Sequence, residues 1–133
     1  MAKRYGCRII NPGIAEGEAL VSEDPVSLLG DIDENGVFTV GKLRGFSVAD
    51  KVLIFPFGRG STDGSYILLR LKKKGLAPKA IINRESEAII AIGAIIAEIP
   101  LVDLIEEEFF SKIKTGDRVF VNAVDGYVEI YEA

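Results

Sequence analysis

Residues 51–83 read K-V-L-I-F-P-F, G-R-G-S-T-D-G-S, Y-I-L-L-R-L-K-K-K, G-L-A-P and K-A-I-I-N, and this succession decides the fold class. After Lys51, the first block (51–57) is an apolar run of strand-forming residues and predicts a central strand. Pro56 has no N–H to donate, so the ladder is expected to end there. Residues 66–74 place Ile67, Leu68 and Leu71 on one helical face and Lys72, Lys73 and Lys74 in the last turn. There the lysines complement the helix dipole, just before Gly75, a residue suited to a left-handed C′ position. After Ala77-Pro78, residues 79–83 predict a buried strand. Strand, loop, helix and strand in that order predict a mixed α/β layered domain with a partly parallel sheet.

Working outward on the C-terminal side, residues 87–97 predict a helix, in which Ala91, Gly93 and Ala94 permit close packing. Residues 99–102 predict a short strand and 104–113 a short helix or 3₁₀ stretch. Residues 118–124 and 127–131 alternate apolar and polar around Asp125-Gly126, which predicts a hairpin with a type I′ turn. On the N-terminal side, residues 5–10 (Y-G-C-R-I-I) predict a strand stopped by Asn11-Pro12-Gly13, and residues 18–21 a second short one. Residues 25–31 are expected to be loop, because S-L-L-G is short and flanked by breakers. Asp33-Glu34-Asn35-Gly36 predicts a turn in which Asn-Gly supplies the positive-φ positions, feeding a strand over 37–40. The expectation is a β-rich N-terminal portion beside the parallel sheet, in one domain spanning 1–133, with no repeat or linker.

Composition narrows the chemistry. The 133 residues carry 16 Lys plus Arg against 20 Asp plus Glu, for a net charge of −4, with 48% hydrophobic and 27% charged residues. That balance is globular and rules out disorder. Its sign argues against a nucleic-acid partner bound by counterion release. Lys72-Lys73-Lys74 and Lys3-Arg4 read as solvated faces. The longest apolar run, residues 88–97, is far shorter than the roughly 20 residues a membrane span needs. No secretory segment opens the chain and the one cysteine, Cys7, has no partner for an internal bridge. A soluble cytoplasmic protein without a membrane partner is expected. There is no histidine, which removes the commonest general base and metal ligand and every Ser-His-Asp arrangement. One cysteine supplies neither a zinc site of the usual kind nor an iron–sulfur cluster. Any catalytic contribution must come from hydroxyls, carboxylates, Arg or Lys, or backbone amides, and any metal from a partner.

The loop G-R-G-S-T-D-G-S is the one segment that could carry such chemistry. Gly58 and Gly60 let a ligand approach the backbone, and the orphan N–H groups at the following helix start favour an anion. Ser61, Thr62 or Ser65 can cap those amides, and Arg59 offers a planar fork for phosphate or carboxylate. A serine hydroxyl there is helped toward its alkoxide by nearby donors and a cation. The same spacing is also that of an ordinary tight turn with an N-cap, and it matches neither G-x-G-x-x-G nor the P-loop. Elsewhere, Asp103, Glu106, Glu107 and Glu108 read as a solvated helix face. Asn11-Pro12-Gly13 reads as a turn that can also border a site, and Cys7 as a small core residue rather than a reactive thiol.

Four blocks together, N-P-G-I-A-E-G-E-A-L (11–20), F-P-F-G-R-G-S-T (55–62), G-L-A-P-K-A-I-I-N (75–83) and A-I-G-A-I-I-A-E-I-P-L-V (91–102), resemble the small subunit of the aconitase X family over nearly the whole chain. The resemblance implies an α/β fold, a single swivelling β/β/α domain similar to the detached C-terminal (swivel) domain of aconitase. It also implies a heterodimer with an aconitase-like large subunit that carries a [4Fe-4S] cluster, with no cofactor bound by this chain. Archaeal members are similar to phosphomevalonate dehydratase, a hydro-lyase that converts (R)-5-phosphomevalonate to trans-anhydromevalonate 5-phosphate in a modified mevalonate pathway of isoprenoid synthesis. By that resemblance Ser61 is the proton acceptor of a small phosphorylated hydroxy-acid substrate; Arg59 lies in the same block, and substrate contact by Gly58, Arg59, Gly60, Thr62 and Ser65 is inferred from the anion-binding character of the loop. Aconitase-like loops follow the base with a second serine and an arginine, whereas Thr62 and Asp63 stand in those places here. Bacterial relatives, often fused to or encoded with the large portion, dehydrate cis-3-hydroxy-L-proline, so a related hydroxyproline-type dehydratase is one alternative. A non-catalytic anion-binding or assembly module is another. The closing hairpin at 116–128 also occurs in phosphohistidine swivel domains, but a chain without histidine has no such role.

Overall fold

The computed structural model describes residues 3–60 and 64–131. At its centre β4 (Lys51–Phe55) pairs in parallel with β3 (Ile14–Val21) on one side and β5 (Ala80–Asn83) on the other, and β6 (Leu101–Asp103) joins β5, again in parallel. Both faces of β4 are covered, as expected of a strand whose apolar residues do not alternate with polar ones. Leu53 and Phe55 pack with the helices α2 (Ser65–Lys74) and α3 (Ala88–Ala97), while Val52 and Ile54 belong to a second core on the opposite face. The ladder stops at Phe55, immediately before Pro56.

The remaining strands complete one eight-stranded sheet in the order β1-β8-β7-β3-β4-β5-β6-β2. Here β1 is Arg4–Gly6, β2 is Arg8–Asn11, β7 is Arg118–Asn122 and β8 is Tyr127–Tyr131. The two edge strands are separated in sequence only by Cys7, so one short segment spans both edges and the sheet must curl until they meet. At the junction Cys7 N–H donates to the Gly126 carbonyl at 3.0 Å. The β-rich N-terminal portion is therefore not a layer beside the parallel sheet but part of the same curled sheet. The strand expected over 5–10 is divided at Cys7, because its two halves pair with different partners, β8 and β6. Inside the curl, Tyr5, Ile54, Ile82, Val119 and Val128 form a core with Phe109 of α4 (Glu107–Lys112).

Other departures have local causes. β3 begins at Ile14, earlier than the expected 18–21, because residues 14–18 also pair with β7. Residues 28–31 form a single helical turn, α1 (Leu28–Asp31), because Ser27 Oγ accepts from Gly30 N–H at 3.1 Å and buried Leu28 holds the turn down. The 37–40 strand is absent. Only isolated bridges, Ile32 to Phe38 and Val37 to Ser47, flank the buried Phe38. In the preceding turn Gly36 alone has positive φ (+78°). The β7–β8 connection is a four-residue loop rather than a type I′ turn. Asn122 Oδ1 accepts from Val124 and Asp125 N–H, and only Gly126 has positive φ. Asp103 is not on a solvated face: it is fully buried at the end of β6, gripped by Arg8 through Nε and Nη2 at 2.8 and 2.7 Å.

Both crossover helices end as anticipated or nearly so. Gly75 (φ +75°) closes α2, and Glu87 caps α3 by accepting from Ile89 and Ile90 N–H at 2.8 and 2.7 Å. Gly93 lets α3 lie against α2, since a Cβ there would stand 3.0 Å from the Ser65 carbonyl oxygen. No helix among the described residues is long and apolar enough to cross a membrane.

Candidate active site

Open α/β sheets bind ligands outside the carboxyl ends of their parallel strands, and the G-R-G-S-T-D-G-S loop leaves β4 at that edge. Its first residues extend the pairing beyond the ladder. Val26 N–H donates to the Phe57 carbonyl at 3.2 Å, and Arg59 N–H donates to the Val26 carbonyl at 3.0 Å. Beneath it, the buried Asn83 donates through Nδ2 to the Phe55 carbonyl at 3.0 Å and accepts from Ser86 Oγ at 3.0 Å. Ser86 N–H in turn donates to Asp103 Oδ2 at 2.7 Å. A chain of satisfied polar groups thus ties together the ends of β4, β5 and β6, and such a network holds its members in one geometry.

Gly58 and Gly60 answer first to packing. A Cβ on Gly58 would fall 2.4 Å from Ile90 Cγ1 and 2.5 Å from Glu87 Oε1, and one on Gly60 (φ +106°) would fall 2.7 Å from Ser27 Oγ. Gly60→Ala will therefore both strain the backbone and push on α1, at about 1–3 kcal/mol. A fall in melting temperature, measured against wild type by calorimetry, is the expected outcome, and an unchanged melt would show that the loop relaxes freely.

Arg59 is half exposed. Its Nη2 lies 3.3 and 3.4 Å from the Asp31 oxygens, and its Nε lies 3.5 Å from the Pro25 carbonyl. Asp31 Oδ2 also accepts from Ser27 N–H at 2.9 Å. Segment 25–31, expected to be plain loop, is what seats the arginine, and the only sequence signal for it is Ser27 at an N-cap position before Leu28. Ser65 is buried as the first residue of α2, against Gly93. The N-cap is Gly64, so Ser65 does not fill that position. Ser61 and Thr62, with Asp63, lie outside the described residues. Asn11-Pro12-Gly13 is at the opposite edge of the sheet, where Asn11 Nδ2 donates to the Ile99 carbonyl at 2.9 Å.

Sequence reasoning missed Arg84, which follows β5 at the same edge. Its guanidinium stands 4.3 Å from the Phe110 ring centre and pairs with Glu107. Two adjoining hollows run along this edge. One of about 350 Å³ includes Arg59, Lys42, Lys114 and Asp31; one of about 100 Å³ includes Arg84, Pro56 and Phe110; both include Val21, Ser22, Glu23 and Ile113.

The donor set does not fit an iron–sulfur cluster. Cys7 is the sole cysteine and sits where β1 passes into β2. Burial, reinforced by the Asp103 carboxylate, pushes its thiol up to about 11, so it stays protonated near neutrality, although the residue is half-buried against the core rather than inside it. Among the described residues no three His, Cys, Asp or Glu side chains gather to hold a metal.

Comparison with known proteins agrees with this architecture. The family described as aconitase X swivel domain matches residues 4–130. The phosphomevalonate dehydratase small subunit of Archaeoglobus fulgidus is 56% identical over 131 residues, covering 97% of this chain and 99% of that one. The protein of the same name from Thermococcus onnurineus is 53% identical over 133 residues, covering 98% of this chain and 99% of that one. The crystal structure of holo-form Thermococcus kodakaraensis aconitase X matches this fold with a TM-score of 0.91 at 49% identity, covering 98% of this chain and 99% of that one. Matched from the first strand to the last in both sequence and fold, this chain belongs to the aconitase X swivel domain family.

Proposed function

We propose that this chain is the small subunit of a phosphomevalonate dehydratase and supplies Ser61 as the base opposite an iron–sulfur cluster on the large subunit. The observation that carries the reading is the 56% identity to the Archaeoglobus fulgidus small subunit over 99% of that protein's length. In the reaction, the C–H bond next to the carboxylate breaks and its electron pair becomes the new C=C bond. The C–O bond at the neighbouring carbon breaks, and water leaves.

This chain's part is the first half. A hydroxyl acts as a base only where its alkoxide is stabilised, by donors, a cation or a helix dipole. The loop supplies the setting: Arg59 two positions before Ser61, and after it α2, ten residues long, with its positive end toward the loop. Arg59, held by Asp31, is suited to the substrate carboxylate, on which charge builds as the proton leaves. Departure of the hydroxyl calls for a Lewis acid, which the donors of this chain do not fit and which the reading assigns to the large subunit. Closure of the two subunits over the substrate would then exclude water.

The test is reconstitution. The two subunits, co-expressed and purified anaerobically, are expected to dehydrate (R)-5-phosphomevalonate, while each alone does not. Preferential turnover of cis-3-hydroxy-L-proline, or full activity of the large subunit by itself, would overturn the reading.

A further inference from the structure

We infer that Arg84 anchors the phosphate of the substrate, in the hollow adjoining the one that Arg59 lines. This rests on the phosphomevalonate reading and adds a residue to it. The two hollows at the carboxyl edge share Val21, Ser22, Glu23 and Ile113 in their linings and so adjoin, with Arg59 lining one and Arg84 the other. A substrate with a carboxylate at one end of its carbon chain and a phosphate at the other matches that arrangement. The ends are not equivalent. The proton removed lies next to the carboxylate, and Arg59 is two residues from the proposed base, so the carboxylate belongs with Arg59. The phosphate then reaches toward Arg84.

Arg84 is built for the task in three ways. Its main chain is pinned on both sides: its N–H donates to the Pro56 carbonyl at 2.9 Å and its carbonyl accepts from Leu104 N–H at 3.0 Å. Its guanidinium is held over Phe110 at 4.3 Å, which takes up much of the freedom a long side chain would lose on binding. Glu107 engages only Nη1, and among the described residues Nε and Nη2 have no hydrogen-bond partner. Arg59, by contrast, already uses Nη2 and Nε on Asp31 and Pro25.

The experiment uses the two-subunit enzyme with Arg84→Ala and Arg84→Lys, and compares phosphomevalonate with mevalonate, the same acid without phosphate, as a competitive inhibitor. Loss of a charge-assisted fork is expected to raise KM for phosphomevalonate by about 10-fold or more in Arg84→Ala, with kcat within about threefold and inhibition by mevalonate unchanged. Arg84→Lys keeps the charge without the planar fork and is expected to fall between; it carries the same comparison should Arg84→Ala fail to assemble. An unchanged KM, or weakening of mevalonate in step with phosphomevalonate, would overturn the anchor. Those results leave the proposed function standing provided wild type dehydrates phosphomevalonate. A wild-type complex that does not would overturn that function, and the anchor with it.

Discussion

Ser61→Ala in the reconstituted two-subunit enzyme is expected to cut kcat by about 10²–10⁴-fold, the usual contribution of a positioned base. KM should change far less, because the hydroxyl is asked to act on a proton in the transition state and not to hold the ground state. A second readout separates proton removal from water loss. In deuterated water the wild-type complex should exchange the hydrogen next to the carboxylate, and Ser61→Ala should abolish that exchange. The alanine variant should still copurify with the large subunit, since alanine keeps the backbone and removes one oxygen. Activity within about threefold of wild type would remove Ser61 from the mechanism, because truncating a working base leaves much less. Loss of assembly with the large subunit would instead assign Ser61 to the subunit interface.

What could be read from the amino acids alone divides along physical lines. Residues 51–83 disclosed strand, helix and strand because the signals there are local. A continuous apolar run, a one-sided helix face, lysines before Gly75 and a proline after Phe55 each act over a few residues. The curl of the sheet was not legible, since nothing in Y-G-C-R-I-I says that its halves pair with strands more than ninety residues away on opposite edges. The one-turn helix at 28–31 is too short to have periodicity and exists through a cap and one buried leucine. Asp103 was misjudged for a similar reason: beside three glutamates it reads as surface, and only the fold brings Arg8 to it. At the site, Arg59 stood out because its neighbours are glycines. Asp31, which orients it, and Arg84, which lines the adjoining hollow, lie 28 and 25 positions away in sequence and carry no motif of their own.

The largest stability effect expected in this chain is at Phe109, for the same architectural reason. Its side chain has no exposed surface and packs edge-on to Tyr5 of β1, with ring centres 5.6 Å apart, and to Phe110 at 5.2 Å. It is the fully buried side chain of α4, the helix that packs into the core inside the curl. Phe109→Ala removes that filling from a site whose walls are strands already fixed in their ladders, so the gap cannot collapse. A loss of about 3–5 kcal/mol is expected, seen in calorimetry as a fall in Tm on the order of 10–20 °C. The consequence reaches the carboxyl edge, because Thr115, three residues after α4, accepts from Val21 N–H at 3.0 Å and Phe110 supports Arg84. Phe110→Ala separates the two roles. It removes the ring under Arg84 from a partly buried position, so KM for phosphomevalonate should rise with a smaller fall in Tm than Phe109→Ala gives. If Phe109→Ala instead melts within a few degrees of wild type, α4 does not close the curl, and the alignment of Arg84 must have another source.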